Sequence, residues 1–174
     1  MLEPEKETIS LFEKNNLIIK DSVNDDIDGI NKVTLNIYRE LCPVLFFWKL
    51  KHNEEFNEQF YGKDGQDSEK RIFYTIFDKD KIVGSGGIIQ ENPKIAELSR
   101  IYLLQEYRGK GLGKALVKDL IVKAQKLDYE KIYLTTRREF ENAIKLYERL
   151  GFQRAKCQKF PKAEKAISLE LMFH

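Results

Sequence analysis

Seven residues that lie between two differently patterned segments decide the fold of this chain: Arg108-Gly109-Lys110-Gly111-Leu112-Gly113-Lys114. The alternating glycines carry no Cβ and tolerate positive φ angles, so successive backbone N–H groups can converge on one ligand. A helix that begins here would add roughly half a positive charge, and the three basic side chains would add whole charges. The stretch predicts a cradle for a pyrophosphate or polyphosphate; a glycine-rich turn with solvated cations is the alternative.

The spacing of the glycines narrows the choice of ligand. A P-loop needs Ser or Thr directly after its lysine, whereas Lys114 is followed by Ala115. The dinucleotide pattern GxGxxG also fails, because the glycines stand at 109, 111 and 113. The loop is therefore a poor match for a kinase, another NTPase or a dinucleotide-binding fold.

The segments on either side of the loop differ in their periodicity. Before it, stretches rich in β-branched and aromatic residues predict strands, with a hairpin turn at Asp78-Lys79-Asp80. After it, apolar residues spaced by three and four from Leu112 to Leu127 predict an amphipathic helix. A second helix with apolar residues from Phe140 to Leu150 is stopped by Gly151. The predicted strands of this region are Arg71 to Phe77, Lys81 to Ile89, Ile95 to Leu103, Lys131 to Thr135, Phe152 to Phe160 and Ala166 to Phe173.

The first seventy residues are less clearly patterned. After a polar leader, Leu17 to Ile19 predicts a short strand, and an acidic run from Asp25 precedes a helix with apolar residues from Ile30 to Ile37. Gly62 to Lys70 is the strongest loop candidate, because Gly, Asp and Ser are concentrated there. The order of elements predicts an α/β domain with a mixed sheet.

Composition limits the class of protein. The 174 residues include 30 Lys and Arg and 28 Asp and Glu, and a net charge of +2 disfavours a nucleic-acid-binding protein. No apolar run is long enough to span a membrane and the N-terminus has no signal pattern, so we expect one cytoplasmic domain without membrane contact. Cys42 and Cys157 form no CxxC pair and only His52 and His174 could supply imidazole, so no metal is expected.

The loop also fits the pattern R/Q-x-x-G-x-G/A, and at this point the chain resembles the GNAT superfamily of acetyl-CoA-dependent N-acetyltransferases. Glu97 to Leu103 is similar to the family's fourth strand, and Asn142 to Phe152 is similar to its later segment with Asn, Tyr and a closing Gly-Phe pair. The resemblance implies a mostly antiparallel mixed sheet flanked by helices, in one N-acetyltransferase domain over residues 1–174. Residues 71–174 would carry the acetyl-CoA-binding core, and residues 1–70 would shape the acceptor site.

The resemblance also implies roles for individual residues. The loop amides would hold the coenzyme A pyrophosphate, and backbone groups of the fourth strand would pair with the pantetheine arm and polarise the thioester carbonyl. An Asn at the start of the later segment would contact the coenzyme arm. The cofactor-binding residues implied in this way are Ile101, Tyr102, Leu103, Arg108, Gly109, Lys110, Gly111, Leu112, Gly113, Lys114 and Asn142.

Two residues are candidates for acid–base catalysis. A primary amine with a pKa near ~10.4 is almost fully protonated at pH 7, so a base assists its attack. Glu97 stands where some members of the family carry a catalytic Glu, although it could be a strand-surface carboxylate and a water chain from another carboxylate could serve instead. Tyr147 matches the family's Tyr near the sulfur and could protonate the departing thiolate, with a packed core tyrosine as the alternative.

The expected protein is an acyltransferase that moves an acetyl group from acetyl-CoA to a primary amine by direct attack in a ternary complex. The acceptor would be a small-molecule or peptide amine, such as a polyamine, an amino acid, an antibiotic or a protein N-terminus. A non-catalytic acyl-CoA-binding sensor is the alternative, and it would need neither Glu97 nor Tyr147. A homodimer stays open, since members of the family often dimerise.

Overall fold

The computed structural model describes residues 4–46, 71–156 and 166–173. The helices there are α1 (Lys6–Lys14), α2 (Ile27–Leu41), α3 (Leu112–Lys126) and α4 (Glu141–Arg149). The strands are β1 (Ile18–Asp21), β2 (Arg71–Asp78), β3 (Lys81–Asn92), β4 (Ile95–Leu103), β5 (Lys131–Arg137), β6 (Gln153–Ala155) and β7 (Ala166–Met172). The predicted loop at Gly62 to Lys70, both histidines and Cys157 lie outside the described residues.

The described strands form one seven-stranded sheet in the order β1-β2-β3-β4-β5-β7-β6. The strands β4 and β5 are parallel, and all other neighbours are antiparallel. The predicted hairpin turn joins β2 to β3, where Asp78 pairs with Lys81 and Lys79 takes a φ of 54°. The prediction of a mixed, mostly antiparallel sheet flanked by helices is confirmed.

Helices cover both faces of the sheet. Gly86 of β3 lies beneath α3, since a Cβ on it would stand 2.7 Å from the side chain of Leu116. The next residue, Gly87, faces the opposite side with Phe73, which packs against Ile30 of α2. Where β3 and β4 pair regularly, strand alternation therefore puts Ile88 and Leu98 on the α3 face with Gly86, and Ile89 and Glu97 on the α2 face with Gly87.

The helix α1 was missed because its sequence is mostly polar. Only Thr8 and Phe12 of its nine residues are buried, too few for a visible apolar stripe. Besides Phe12, it is held by Glu5 just before it: the Glu5 carboxylate lies 2.6 Å from Nζ of Lys126 in α3, and the N–H of Glu5 donates to Oδ1 of Asp119 in the same helix. The partners are 114 residues apart in sequence, so no local pattern could predict the contact.

Within the described part of the chain, no helix has the length and hydropathy to cross a membrane. The same residues contain no group of three or more His, Cys, Asp or Glu side chains placed to hold a metal ion.

Candidate functional site

The parallel strands β4 and β5 separate along their length. They pair only where Ile95–Glu97 meets Lys131–Tyr133, although β4 continues to Leu103 and β5 to Arg137. Beyond that point, among the described residues, β4 pairs with β3 alone and β5 pairs with β7 alone. The two strands thus border a gap, which we call the β4–β5 gap, where backbone groups can pair with a ligand.

A bulge in β4 lies beside this gap. The register between β3 and β4 shifts just before Tyr102, so that Arg100 and Ile101 together oppose Gly86. Arg100 takes a φ of 53°, which is uncommon for a residue other than glycine. Its carbonyl accepts a hydrogen bond from Oγ of Ser85 at 3.0 Å. The bulge takes this part of β4 out of the regular ladder at the place where the resemblance implies contact with the thioester.

Past the gap, the chain enters the glycine loop and the start of α3. Gly109 and Gly111 take φ angles of 79° and 80°, and a Cβ on either would meet no heavy atom within 4 Å in the described structure. Gly111 is the N-cap of α3, and no side chain caps this helix end. The first turn of α3 contains no acidic residue, whereas the first turns of α1, α2 and α4 contain Glu7, Asp28 and Glu141. The arrangement fits an anion held by backbone N–H groups.

The Arg108 side chain, which is 33% exposed, is hydrogen-bonded to two other parts of the chain. Its Nε donates to the carbonyl of Leu103 at 2.7 Å, and its Nη1 and Nη2 donate to the two carboxylate oxygens of Glu40 at 2.7 and 2.9 Å. This bidentate ion pair ties the glycine loop to the last turn of α2. The positive charge at the outside of the loop therefore comes from Lys110 and Lys114, whose side chains are exposed.

Three tyrosines from different elements meet near the gap; we call Tyr38, Tyr102 and Tyr147 the tyrosine cluster. The hydroxyls of Tyr38 (α2) and Tyr102 (β4) are hydrogen-bonded to each other. Burial raises the pKa of Tyr102 well above its usual range, and the nearby Tyr38 and Tyr147 hydroxyls add to the effect. Tyr147 is only 5% exposed, its ring centre lies 5.7 Å from that of Phe152, and burial raises its pKa. Its phenol is therefore protonated at neutral pH.

Glu97 lies at the closed end of the gap, where it pairs with Tyr133 across the last register position. Its neighbour Leu98 pairs with Ile88 on the α3 face, so Glu97 is on the α2 face and is half-buried. Burial first, and the Glu97 charge next, raise the pKa of Tyr133, whose hydroxyl donates to Oε2 of Glu91 at 3.0 Å.

Sequence reasoning missed Tyr38 and Glu40 altogether. Both lie in the last turns of α2, and their partners Tyr102 and Arg108 come more than 60 residues later. The available local signal was the helical spacing of α2, which predicts the helix but not what its polar residues touch.

Comparison with known proteins agrees with this geometry. The model of the acetyltransferase (GNAT) family matches residues 34–152. An N-alpha-acetyltransferase of Saccharolobus solfataricus is 31% identical over 140 residues, which cover 78% of this chain and 79% of that protein. The uncharacterised N-acetyltransferase YjgM of Escherichia coli is 34% identical over 98 residues, 55% of this chain and 56% of the relative's length.

Solved structures share the fold at low sequence identity. The PaiA N-acetyltransferase of Thermoplasma acidophilum, in complex with coenzyme A, matches with a TM-score of 0.70 and 17% identity over 90% of this chain and 99% of that one. A GNAT family acetyltransferase of Elizabethkingia anophelis with acetyl-CoA bound gives a TM-score of 0.61 at 17% identity, over 91% and 99% of the two chains. From its sequence match and its fold, this chain belongs to the GNAT family of acetyltransferases.

Proposed function

We propose that this chain is an N-acetyltransferase that moves the acetyl group of acetyl-CoA to a primary amine by direct attack in a ternary complex. The observation that carries the proposal is the β4–β5 gap, which leads to an uncapped helix start with two open, positive-φ glycines. A pyrophosphate held at the loop and an extended arm in the gap would bring a thioester to the bulge of β4, beside the tyrosine cluster.

In this proposal the cofactor-binding residues contact different parts of coenzyme A. The N–H groups from Gly109 to Lys114 hold the pyrophosphate, and the exposed Asn142 in the first turn of α4 contacts the arm. The carbonyl of Leu103 already accepts a bond from Arg108, so the backbone of Ile101 and Tyr102 is the better candidate for pairing with the arm. The Glu40–Arg108 pair fixes the loop relative to α2 without neutralising the lysines.

The two catalytic candidates approach the gap from different sides. Glu97 stands on the α2 face and would accept the amine proton, directly or through water. Tyr147 belongs to α4, which lies beside α3, as shown by the 3.8 Å approach of Leu146 to a Cβ built on Gly113. A protonated phenol there could donate to the departing thiolate. An amine that attacks from one side and a thiolate that leaves on the other need a base and an acid placed in this way.

Acetyl-CoA and free CoA are expected to stabilise the protein, and ATP and NAD are not. At about 100 times the Kd a ligand adds roughly 2.7 kcal/mol, which is worth about 5–10 °C in a chain of this size. Lys114→Ala should weaken CoA binding about 5-fold by removing a charge near the phosphates. Lys118→Ala, exposed one turn further along α3, is the matched control and should bind normally.

Thermal shifts with these four ligands test the loop, and thiol release in the presence of amines tests the chemistry. Binding without thiol release above hydrolysis would favour the acyl-CoA sensor. A shift with ATP alone would refute the assignment of the loop.

Glu97→Gln is expected to lower kcat/KM about 10-fold at pH 7, with the loss shrinking as the pH approaches the pKa of the amine. The reason is that a larger fraction of the amine becomes neutral without help as the pH rises. Glu91→Gln is the control, since this exposed carboxylate accepts the Tyr133 hydroxyl outside the gap. A loss that is equal at pH 7 and pH 9.5 would speak against a role for Glu97 as base.

A further inference from the structure

We propose that the amine acceptor carries a carboxylate, which Arg137 binds at the open end of the β4–β5 gap on the α2 face, with the charge of Arg100 nearby. The inference rests on the proposed function and names its acceptor class: an amino acid, or a peptide whose carboxylate lies close to the reactive amine. A polyamine is the class that it excludes.

The position of Arg137 follows from the pairing of β5. The strand alternates regularly along β7, so Tyr133 and Arg137 lie on the same face as Glu97. Arg137 is the last residue of β5, beyond the point where β4 and β5 part. Strand geometry separates it from the level of Tyr133 by about 13 Å, so it lies at the opposite end of the gap from Glu97. An acceptor whose carboxylate is held there would pass its amine proton to Glu97 through water.

A turn packed against α2 brings Arg137 to the tyrosine cluster. The N–H of Phe140 donates to the carbonyl of Arg137 at 3.0 Å, which closes the turn after β5. The ring of Phe140 meets that of Tyr38 edge-on, with centroids 5.8 Å apart. The hydroxyl of Tyr38 in turn bonds to Tyr102, on the β4 side of the gap. One face of the gap is thus bordered by Arg137 on β5 and by the Tyr38–Tyr102 pair on α2 and β4.

The charges of the Arg137 and Arg100 guanidinium groups lower pKa values in the Tyr38–Tyr102 pair. Burial raises the pKa of Tyr38, while the charges of Arg137 and Arg100 lower it. The charge of Arg100 also opposes the effect of burial on Tyr102. Arg100 is 4% exposed and belongs to the bulge beside the gap. The electrostatics agree with the geometry in placing positive charge where an acceptor would lie.

The Arg137 side chain has N–H donors that can bind a carboxylate in this position. Its Nη2 lies 3.5 Å from Oε1 of Glu139, a contact at the outer limit of a hydrogen bond. Its Nε is buried, and within the described ranges no hydrogen-bond acceptor reaches it. The side chain is 24% exposed, so a ligand can approach it. A guanidinium fork of this kind matches a carboxylate in two parallel bonds, whereas a polycation would be repelled.

The test compares each amino acid with its C-terminal carboxamide, beside spermidine, by thiol release from acetyl-CoA. The best acceptors are expected to exceed their carboxamides in kcat/KM by at least about 10-fold. Arg137→Gln should reduce this preference about 10-fold while the carboxamide rate and the stabilisation by CoA stay unchanged. Arg137→Lys should retain part of the preference. Arg138→Gln alters the exposed neighbouring residue and should leave both rates unchanged.

The possible results separate the two proposals. Carboxamides or spermidine that are acetylated as well as the free carboxylates would overturn the carboxylate inference and leave the N-acetyltransferase in place. An equal loss for acid and amide in Arg137→Gln would also overturn it, because the arginine would then act without regard to the acceptor's charge. Stabilisation by CoA with no thiol release from any amine would instead reject the proposed function, and the acceptor inference with it.

Discussion

Replacing Lys123 with methionine is expected to lower the free energy of unfolding by about 3–5 kcal/mol. Its ammonium lies 3.3 Å from Asp119 Oδ2, and both side chains are almost completely buried. Asp119 also accepts the N–H of Glu5 and is hydrogen-bonded to the buried Tyr74, whose pKa is raised by burial first and by this carboxylate next. Methionine keeps the apolar length but leaves the carboxylate buried without its buried counter-charge. Urea unfolding measures the loss directly.

The matched control is Lys126→Met. Lys126 also pairs with Glu5, at 2.6 Å, but its side chain is 54% exposed, so its loss should cost less than about 1 kcal/mol. In Lys123→Met, the further change Asp119→Asn should recover part of the stability by removing the uncompensated charge. Equal losses of unfolding free energy in Lys123→Met and Lys126→Met would show that burial does not determine how much the Asp119–Lys123 pair contributes to stability.

Replacing Tyr147 with phenylalanine is expected to lower kcat at least about 10-fold, and toward 100-fold if the phenol supplies the whole proton transfer. Burial raises the pKa of this hydroxyl, so the group is a proton donor throughout the neutral range and its loss cannot be offset by lowering the pH to 6. The ring contact with Phe152 is kept, so the KM for acetyl-CoA and the stability should change little.

Tyr129→Phe removes another buried hydroxyl, in the turn after α3, and is the control for a general effect of such a loss. Its kcat should equal that of the wild type. If Tyr147→Phe also kept its kcat while releasing thiol at the normal rate, Tyr147 would be a core residue only, and another group or water would protonate the thiolate.

The sequence was most informative where structure depends on local pattern. The strand from Ile95 to Leu103 was predicted with the observed limits, and the helix predicted from Leu112 to Leu127 ends one residue earlier, at Lys126. Alternation and helical spacing are properties of neighbouring residues, so one sequence suffices to show them. The glycine loop is a local feature too, and the positive φ angles of Gly109 and Gly111 agree with the prediction drawn from it.

Features that depend on contacts between residues far apart in sequence could not be predicted from the sequence. The separation of β4 from β5 beyond Glu97 and Tyr133 is a property of the assembled sheet, and nothing in either strand's own sequence shows it. The sequence predicted that Arg108 adds positive charge to the loop. In the structure its guanidinium is paired with the carboxylate of Glu40, 68 residues away in sequence, which the sequence did not show. The assignments of Glu97 and Tyr147 stay predictions.

The β4–β5 gap gives the sheet two edges in its interior, in addition to those at its rim. Rim edges risk pairing with a second chain and are commonly protected by charge, proline or a bulge. Here β4 carries such a bulge beside its interior edge, and helices pack on both faces of the sheet. A thin, extended molecule with amide groups could still enter. Such a ligand would pair with the edges of β4 and β5 as a strand does, and the sheet would be continuous at the gap only when the ligand is bound.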